Sequence, residues 1–345
     1  MGGNVFKTYK TTRLDAKDYF DLTYDFDSIF FDNFNFCPVL IKAYRKKESF
    51  GDADYLVDSS KLPENWIEKL KDTFCLTPEQ YSKNSNVISI GWRNFQFDLI
   101  VTAHEDMIAS EFYFSYNDFG NLIGRIGHKL GIKIGHKGTS IVIRHKERSD
   151  HILKEIYISK LPVDALDILG LSLTRYAKGF DTLEEMFDYV ASSKYFDREI
   201  YSLEHRSATS RIRDKKRATY NAFLKWVDEK HPWSHHSFKE KSELGGYSIR
   251  MPYYETEVLS RFPWVKDVVD ATIASFELDL RFKEVYNGVI VSEQTGLTGK
   301  ELGMFMKEVK EKYVLDDDTK RRWIEFPMLV HLTVKNVMKY DLGAF

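Results

Sequence analysis

Tyr44-Arg-Lys-Lys-Glu-Ser-Phe-Gly-Asp-Ala-Asp-Tyr-Leu-Val57 runs basic, then small, then gives two aspartates one residue apart, then turns apolar. From Gly51 onward it reads as a strand. In a strand, residues i and i+2 share a face, with Cα atoms roughly 6.5–7 Å apart, so Asp52 and Asp54 project together. A second β-rich run, Phe95-Gln-Phe-Asp-Leu-Ile-Val101, puts Phe95, Phe97 and Leu99 on one face. Gln96 and Asp98 take the other. Asp98 is a carboxylate inside an apolar strand, and burying it alone costs several kcal/mol. If the two strands are neighbours, three carboxylates meet and repel unless cations neutralise them. Two Mg²⁺ ions roughly 3.5–4 Å apart do this and suit phosphoryl or nucleotidyl transfer. Mn²⁺ is a possible substitute. The plainer alternative is a salt-bridged turn capped by Asp52, with Asp98 paired to an arginine. The basic residues before the pair and the third aspartate favour the metal reading.

The 345 residues suffice for two or three domains. A net charge of -2 means that any nucleic-acid surface must be a local patch. No run of 18 apolar residues predicts a membrane span, and Met1 to Lys10 lacks an apolar signal region. Gly2 does not begin a myristoylation motif, because position 6 is Phe6. Cys37 and Cys75 form neither a disulfide framework nor a zinc pattern. A reducing, cytoplasmic setting is expected. Asp15 to Phe36 reads as a helix and Cys37-Pro-Val-Leu-Ile41 as a short buried strand. One helix is expected around Trp66-Ile-Glu-Lys-Leu70. Val87–Trp92 and Phe95–Val101 read as a hairpin around Arg93-Asn94. Residues 104–140 read as helix, strand and helix, and beyond 150 helical signals dominate. The expectation is an α+β class, with a catalytic domain over 1–150, a helical region over 151–345 and a loop or linker at 231–253.

The opening stretch resembles the active-site motif of family X, the DNA polymerase beta family within the nucleotidyltransferase superfamily, whose pattern is G-S-Y-R-R-G-K-E-T-x-G-D-x-D-h-L-h. Phe95-Gln-Phe-Asp-Leu-Ile100 is similar to the strand bearing that family's third carboxylate. Glu111-Phe-Tyr-Phe-Ser-Tyr-Asn-Asp-Phe-Gly-Asn-Leu-Ile-Gly-Arg125 is similar to its Y-F-T-G-S-x-x-F-N-x-x-M-R segment. The resemblance covers roughly residues 11–140 and implies a nucleotidyltransferase palm. It implies that Asp52, Asp54 and Asp98 are catalytic metal ligands and that Arg45 and Lys46 touch the triphosphate. Gly51 would let the backbone approach phosphate. Tyr113 and Phe114 would lie beside the sugar, Asp118 and Asn121 near the base, and Arg125 on the template. Core packing is an equal alternative for Tyr113 and Phe114 taken by themselves. The chain departs from the pattern where Lys42-Ala43 replaces Gly-Ser, where a glycine after the basic pair is deleted, and where Tyr116 replaces a glycine. Lys42 or Lys47 would supply charge there.

Two basic patches would suit a polynucleotide, at Lys129 to Arg148 and His205 to Arg217. In the second, Arg206, Arg213, Lys216 and Arg217 fall on one arc of a helix and would track phosphates; a solvated helix face is the alternative. Near the C-terminus, Gly296-Leu-Thr-Gly-Lys-Glu-Leu302 reads as a glycine turn feeding a helix. Gly299 and Lys300 there would meet a backbone phosphate, or the segment is a tight αα-turn. It resembles the tail helices of CCA-adding enzymes and poly(A) polymerases. His231, His235 and His236 read as a polar loop. These features together point to an enzyme adding an NTP or dNTP to a DNA or RNA 3′ end, DNA polymerase beta-like first. An RNA 3′-end enzyme stands second, and an inactive fold serving as a nucleic-acid-binding module third. The sequence leaves the oligomeric state open.

Overall fold

The structure is a computed structural model describing residues 5–144, 152–204, 208–238, 254–314 and 316–340. The chain falls into two compact units, Met1–Arg261 and Phe262–Phe345. The class is α+β, as expected.

In the first unit, Leu14–Asp15 (β1) precedes Ala16–Phe34 (α1). Asp15 caps this helix by accepting from the Asp18 N–H at 2.9 Å, which satisfies a donor the helix leaves open. Asn35 ends it in the left-handed region, φ 61°. Tyr19, Thr23, Phe26, Phe30 and Phe34 recur at helical spacing and form its buried stripe. Then come Val39–Leu40 (β2), Ser49–Phe50 (β3), Asp52–Asp58 (β4), Trp66–Thr73 (α2), Tyr81–Asn84 (β5), Val87–Trp92 (β6) and Phe95–Thr102 (β7). The small strands β1 and β3 pair with each other.

The main sheet has the order β2-β4-β7-β6-β5. Strands β4 and β7 are parallel and the other neighbours antiparallel. The strand β2, expected to be buried, is a half-buried edge. The β6–β7 hairpin turns on Arg93 and Asn94 with φ 48° and 60°, the two left-handed residues that a type I′ turn requires. Ala53, Tyr55, Val57, Phe95, Phe97 and Leu99 share one core with Phe26 and Phe30 of α1. Phe26 is fully buried and stacks 4.4 Å from Phe97 and 4.9 Å from Phe74. Truncating such a ring to alanine costs about 3–5 kcal/mol. That core clamps one face of the sheet and leaves the aspartates on the other.

Residues 104–140 depart from the helix, strand, helix expectation. Met107–Phe114 (α3) and Phe119–Leu130 (α4) are both helical, and two strands follow, Ile132–Gly135 (β8) and Gly138–Arg144 (β9). The aromatic run near Tyr113 favours strand by propensity, but Ala109, Ser110 and Phe112 bury one side of a helix. Gly131 ends α4 with φ 87°, and Ile132 and Ile134 then alternate with polar residues as a strand.

A further strand, Ile152–Ser159 (β10), pairs antiparallel with β9. A three-stranded sheet therefore spans the boundary expected at residue 150, and the division between units falls at Arg261. The helices Pro162–Ile168 (α5), Leu173–Ala177 (α6), Leu183–Ala191 (α7), Ala208–Lys215 (α8) and Ala218–Lys230 (α9) continue the first unit. Of the expected loop, 231–238 is non-helical; 239–253 lie outside the described residues.

The second unit is helical where described: Val265–Val285 (α10), Gly288–Thr295 (α11), Gly299–Tyr313 (α12), Asp317–Glu325 (α13) and Pro327–Tyr340 (α14). Phe282, Tyr286, Val291, Phe305, Trp323 and Val334 are among its core residues. Among the described residues, no helix is long and apolar enough to cross a membrane. Cys37 and Cys75 are free and exposed.

Candidate active site

The parallel register of β4 on β7 sets Asp54 opposite Asp98 and Asp52 opposite Gln96. The three aspartates therefore share the face turned away from the α1 core. No ion pair within 4.0 Å involves Asp52, Asp54 or Asp98 among the described residues. Asp98 is half-buried, and the Gln96 amide nitrogen donates to both its oxygens at 3.1 and 2.9 Å. Burial raises its pKa, while the Ser89 and Gln96 hydrogen bonds pull it back. Burial also raises Asp52, and the nearby Lys47 lowers it. Asp54 is pushed up to about 7, first by desolvation and then by Asp52 and Asp98. Its carboxylate is reachable by water, but protein crowds around it in a concave wall. Tyr19 is raised by burial and then by Asp54 and Asp52.

A cleft of about 230 Å³ opens over these strands, lined by Asp52 and Asp54 together with Lys42, Lys47, Phe114 and Asn117. Tyr19 and Phe50, stacked at 3.8 Å, close one side. Lys47 lies 4.5 Å from the Phe50 ring, and desolvation lowers its pKa against the pull of Asp52 and Asp54. Lys42 is ion-paired with Glu111 at 2.7 Å. Among the described residues, no three His, Cys, Asp or Glu side chains are grouped to hold a metal ion as they stand. The donor set nonetheless suits a hard divalent cation: carboxylate oxygens, mutually repelling and without a protein counter-charge in contact. Asp98 would have to turn from Gln96 to join a shared ion.

The remaining expected residues occupy three places. Arg45 and Lys46 turn onto the segment 178–181. The Arg45 guanidinium is ion-paired with Asp181 and donates to the Lys178 carbonyl at 2.7 Å. Lys46 reaches Asp181 at 3.5 Å. Neither is among the residues lining the cleft. Gly51 is buried between β3 and β4.

Tyr113 and Phe114 end α3, both half-buried. A Cβ on Gly120 would lie 2.2 Å from the Tyr113 carbonyl oxygen, so only glycine lets α4 approach the end of α3 this closely. Tyr116 and Asn117 between the helices both have positive φ, 57° and 61°. Such strain gathers where surroundings over-determine the backbone.

On α4, Asp118 is ion-paired with Arg217, and Arg125 with Asp214 at 2.7 Å. Asp214 has no exposed side-chain surface, and Arg213 also approaches it at 3.4 Å. Asn121 Nδ2 and Arg125 Nε are buried without a hydrogen-bond partner. Thus Asp118 pairs with the expected phosphate-tracking Arg217, and Arg125 shares the Asp214 carboxylate with the expected Arg213. Lys216 is exposed. Arg206 lies outside the described residues, as do 145–148 of the other basic patch. Gly299 and Lys300, in the second unit, begin α12 exposed, with Gly299 at φ 55°. His231 packs on Trp233 at 4.5 Å, and the backbone N–H groups of His235 and His236 both donate to the Phe196 carbonyl.

Sequence reasoning missed Asp181, Glu111, Asn117 and Asp214 as partners. Gln96 alone had a signal, because alternation placed it beside Asp98. No protein-family model matches this chain, and no curated protein is significantly similar to it.

Proposed function

We propose that the chain is a metal-dependent nucleotidyltransferase that adds nucleotides to a polynucleotide 3′-hydroxyl, in the manner of DNA polymerase beta-like enzymes. The observation that carries this reading is the register of β4 on β7, which aligns Asp54 with Asp98 beside Asp52 on the open face of the sheet. Three aligned carboxylates with no ion pair are costly to a purely structural protein. They are useful to one that recruits cations. Asp52, Asp54 and Asp98 would hold Mg²⁺ or Mn²⁺. When bound, that metal would lower the pKa of the attacking hydroxyl and offset charge on the departing pyrophosphate.

The chain's own groups prepare the site. Gln96 donates to both Asp98 oxygens on the face shared with Asp54, two contacts that a shared ion would displace. Phe114 and Asn117 line the same cleft, where a sugar would lie against the Phe114 ring. Asp54, pushed up to about 7 by burial and by Asp52 and Asp98, would hold a cation as the carboxylate, so cation binding there would be favoured as pH rises.

A second reading, an RNA 3′-end enzyme of the CCA-adding or poly(A) type, draws on the turn between α11 and α12. There Gly296 and Gly299 both adopt positive φ, 73° and 55°, and the α12 N-terminus is open to solvent. The test is incubation with Mg²⁺ and each labelled nucleotide on primed DNA, single-stranded DNA and tRNA lacking its 3′ end. Extension confined to primed DNA supports the first reading, and extension of tRNA supports the second. No incorporation on any acceptor overturns both and leaves a binding module.

A further inference from the structure

The basic half of the opening stretch divides in two. Arg45 and Lys46 are consumed within the chain. Their backbone N–H groups donate to the carbonyls of Phe180 and Asp181, at 3.0 and 2.8 Å, so neither amide is available to an anion. Their side chains share the Asp181 carboxylate. The seat is shaped for this: Gly179 sits at φ 68°, and a Cβ there would stand 3.0 Å from both an Arg45 nitrogen and the Tyr116 hydroxyl. Lys42 and Lys47 behave differently. Both line the cleft that holds Asp52 and Asp54. Lys47 is half-buried, yet makes no ion pair within 4.0 Å among the described residues; its ammonium rests over the Phe50 ring. It shares the cleft with Asp52 and Asp54 and feels their charge without contacting either, so its three N–H donors point into the cleft where an anion would meet them. Lys42 gives one contact to Glu111 and keeps donors to spare.

We infer that Lys42 and Lys47 hold the polyphosphate of the incoming nucleotide, and that Arg45 and Lys46 instead brace the loop carrying them. The ligand class follows from the walls. Carboxylates lie on one side and ammonium groups on the other, which suits a polyanion bridged to the carboxylates by divalent cations. The cleft, at about 230 Å³, is below the roughly 300–1,000 Å³ usual for a whole small-molecule site, so it fits the phosphates with the sugar against Phe114 and leaves the base outside. Lysine serves here as a point charge rather than as a planar fork. It takes the place of the glycine-lined backbone cradle that Lys42-Ala43 cannot form. The nucleotide's identity rests on the nucleotidyltransferase reading; the phosphate chemistry does not.

The test is calorimetric titration of the full chain with inorganic tripolyphosphate in Mg²⁺. Lys47→Met is expected to weaken binding by about tenfold or more, the loss of one charge-assisted contact. Lys42→Met should weaken it less, and Lys47→Arg should restore part of it, which separates lost charge from misfolding. Arg45→Gln and Lys46→Met should stay within about twofold of the parent, the scale of an indirect effect. Loss in the Arg45 or Lys46 variants with Lys47→Met unchanged overturns the inference, as does absence of tripolyphosphate binding by the parent. The two claims fail separately. Nucleotide incorporation that survives in Lys47→Met breaks the inference alone. Lysine-dependent tripolyphosphate binding without incorporation on any acceptor breaks the enzyme reading alone.

Discussion

At the junction of α4 with α8 and α9, Asp214 meets Arg125 at 2.7 Å with none of its side chain exposed, and Arg217 meets Asp118 beside it. In the cleft above β4 and β7, Asp52, Asp54 and Lys47 face one another with no ion pair within 4.0 Å among the described residues. The first region has answered its charges internally. The second has not. Crowded charges left without a paired partner cost stability even when partly exposed, so a fold that keeps several together does so where something else supplies the counter-charge. The same residue types thus separate into a paired junction and a candidate site by whether they already have partners.

The largest expected effect lies in the cleft. Asp54→Asn should lower nucleotide incorporation by on the order of 10³-fold, about 4 kcal/mol of transition-state stabilisation. It should leave the unfolding midpoint equal or higher, because a repelling charge is gone. A fall in stability with activity kept would dissolve the contrast. Next, Asp214→Ala should remove about 3–5 kcal/mol from the unfolding free energy, since it strands Arg125 as a buried unpaired cation. Chemical denaturation measures this, and a change under 1 kcal/mol would place the junction with ordinary surface pairs.

The pH dependence sharpens the comparison further. The folded pKa of Asp54, about 7, lies above its unfolded value near 3.8. The folded state therefore binds more protons between those values, and this group's contribution to stability falls as pH rises from about 4 to 7. The advantage of Asp54→Asn over the parent should grow across the same window, and an advantage independent of pH would contradict the shift. The smallest effect belongs to exposed Lys216. Lys216→Ala should lower the salt slope of polynucleotide binding by about 1 and leave the thermal midpoint unmoved. Arg217→Ala, which breaks the pair with Asp118, should move that midpoint too.

Much of the site was legible because a strand's period of two is rigid. Alternation alone placed Asp52 with Asp54 and Asp98 with Gln96. Helix α1 was equally plain, since its aromatic stripe and Asp15 cap are local. What escaped the sequence depends on distant partners. Asp118 and Arg217 are 99 residues apart, and Arg45 and Asp181 are 136 apart; no local pattern announces such pairs. They give Arg45, Lys46, Arg125 and Arg217 partners within the chain. The strand expected between two helices over 104–140 failed for another reason, because Ala109 and Phe112 bury one face of a helix there.

The parallel pairing of β4 with β7 also bears on how the chain reaches its native state. Asp54 and Asp98 oppose each other across strands joined through α2, β5 and β6, so the pair closes a long loop rather than a hairpin. Such non-local contacts form late, since their closure entropy comes before any reward. The β6–β7 hairpin and the α1 stripe can organise first and carry Asp98 on a prepared edge. The repulsion between Asp98 and the β4 aspartates is then met only in the final docking step. During synthesis, a nascent chain that has not yet emerged to Phe95 holds two of the three carboxylates, Asp52 and Asp54, and meets none of the repulsion from Asp98. Divalent cations present at that last step would therefore be expected to speed folding as well as stabilise its product.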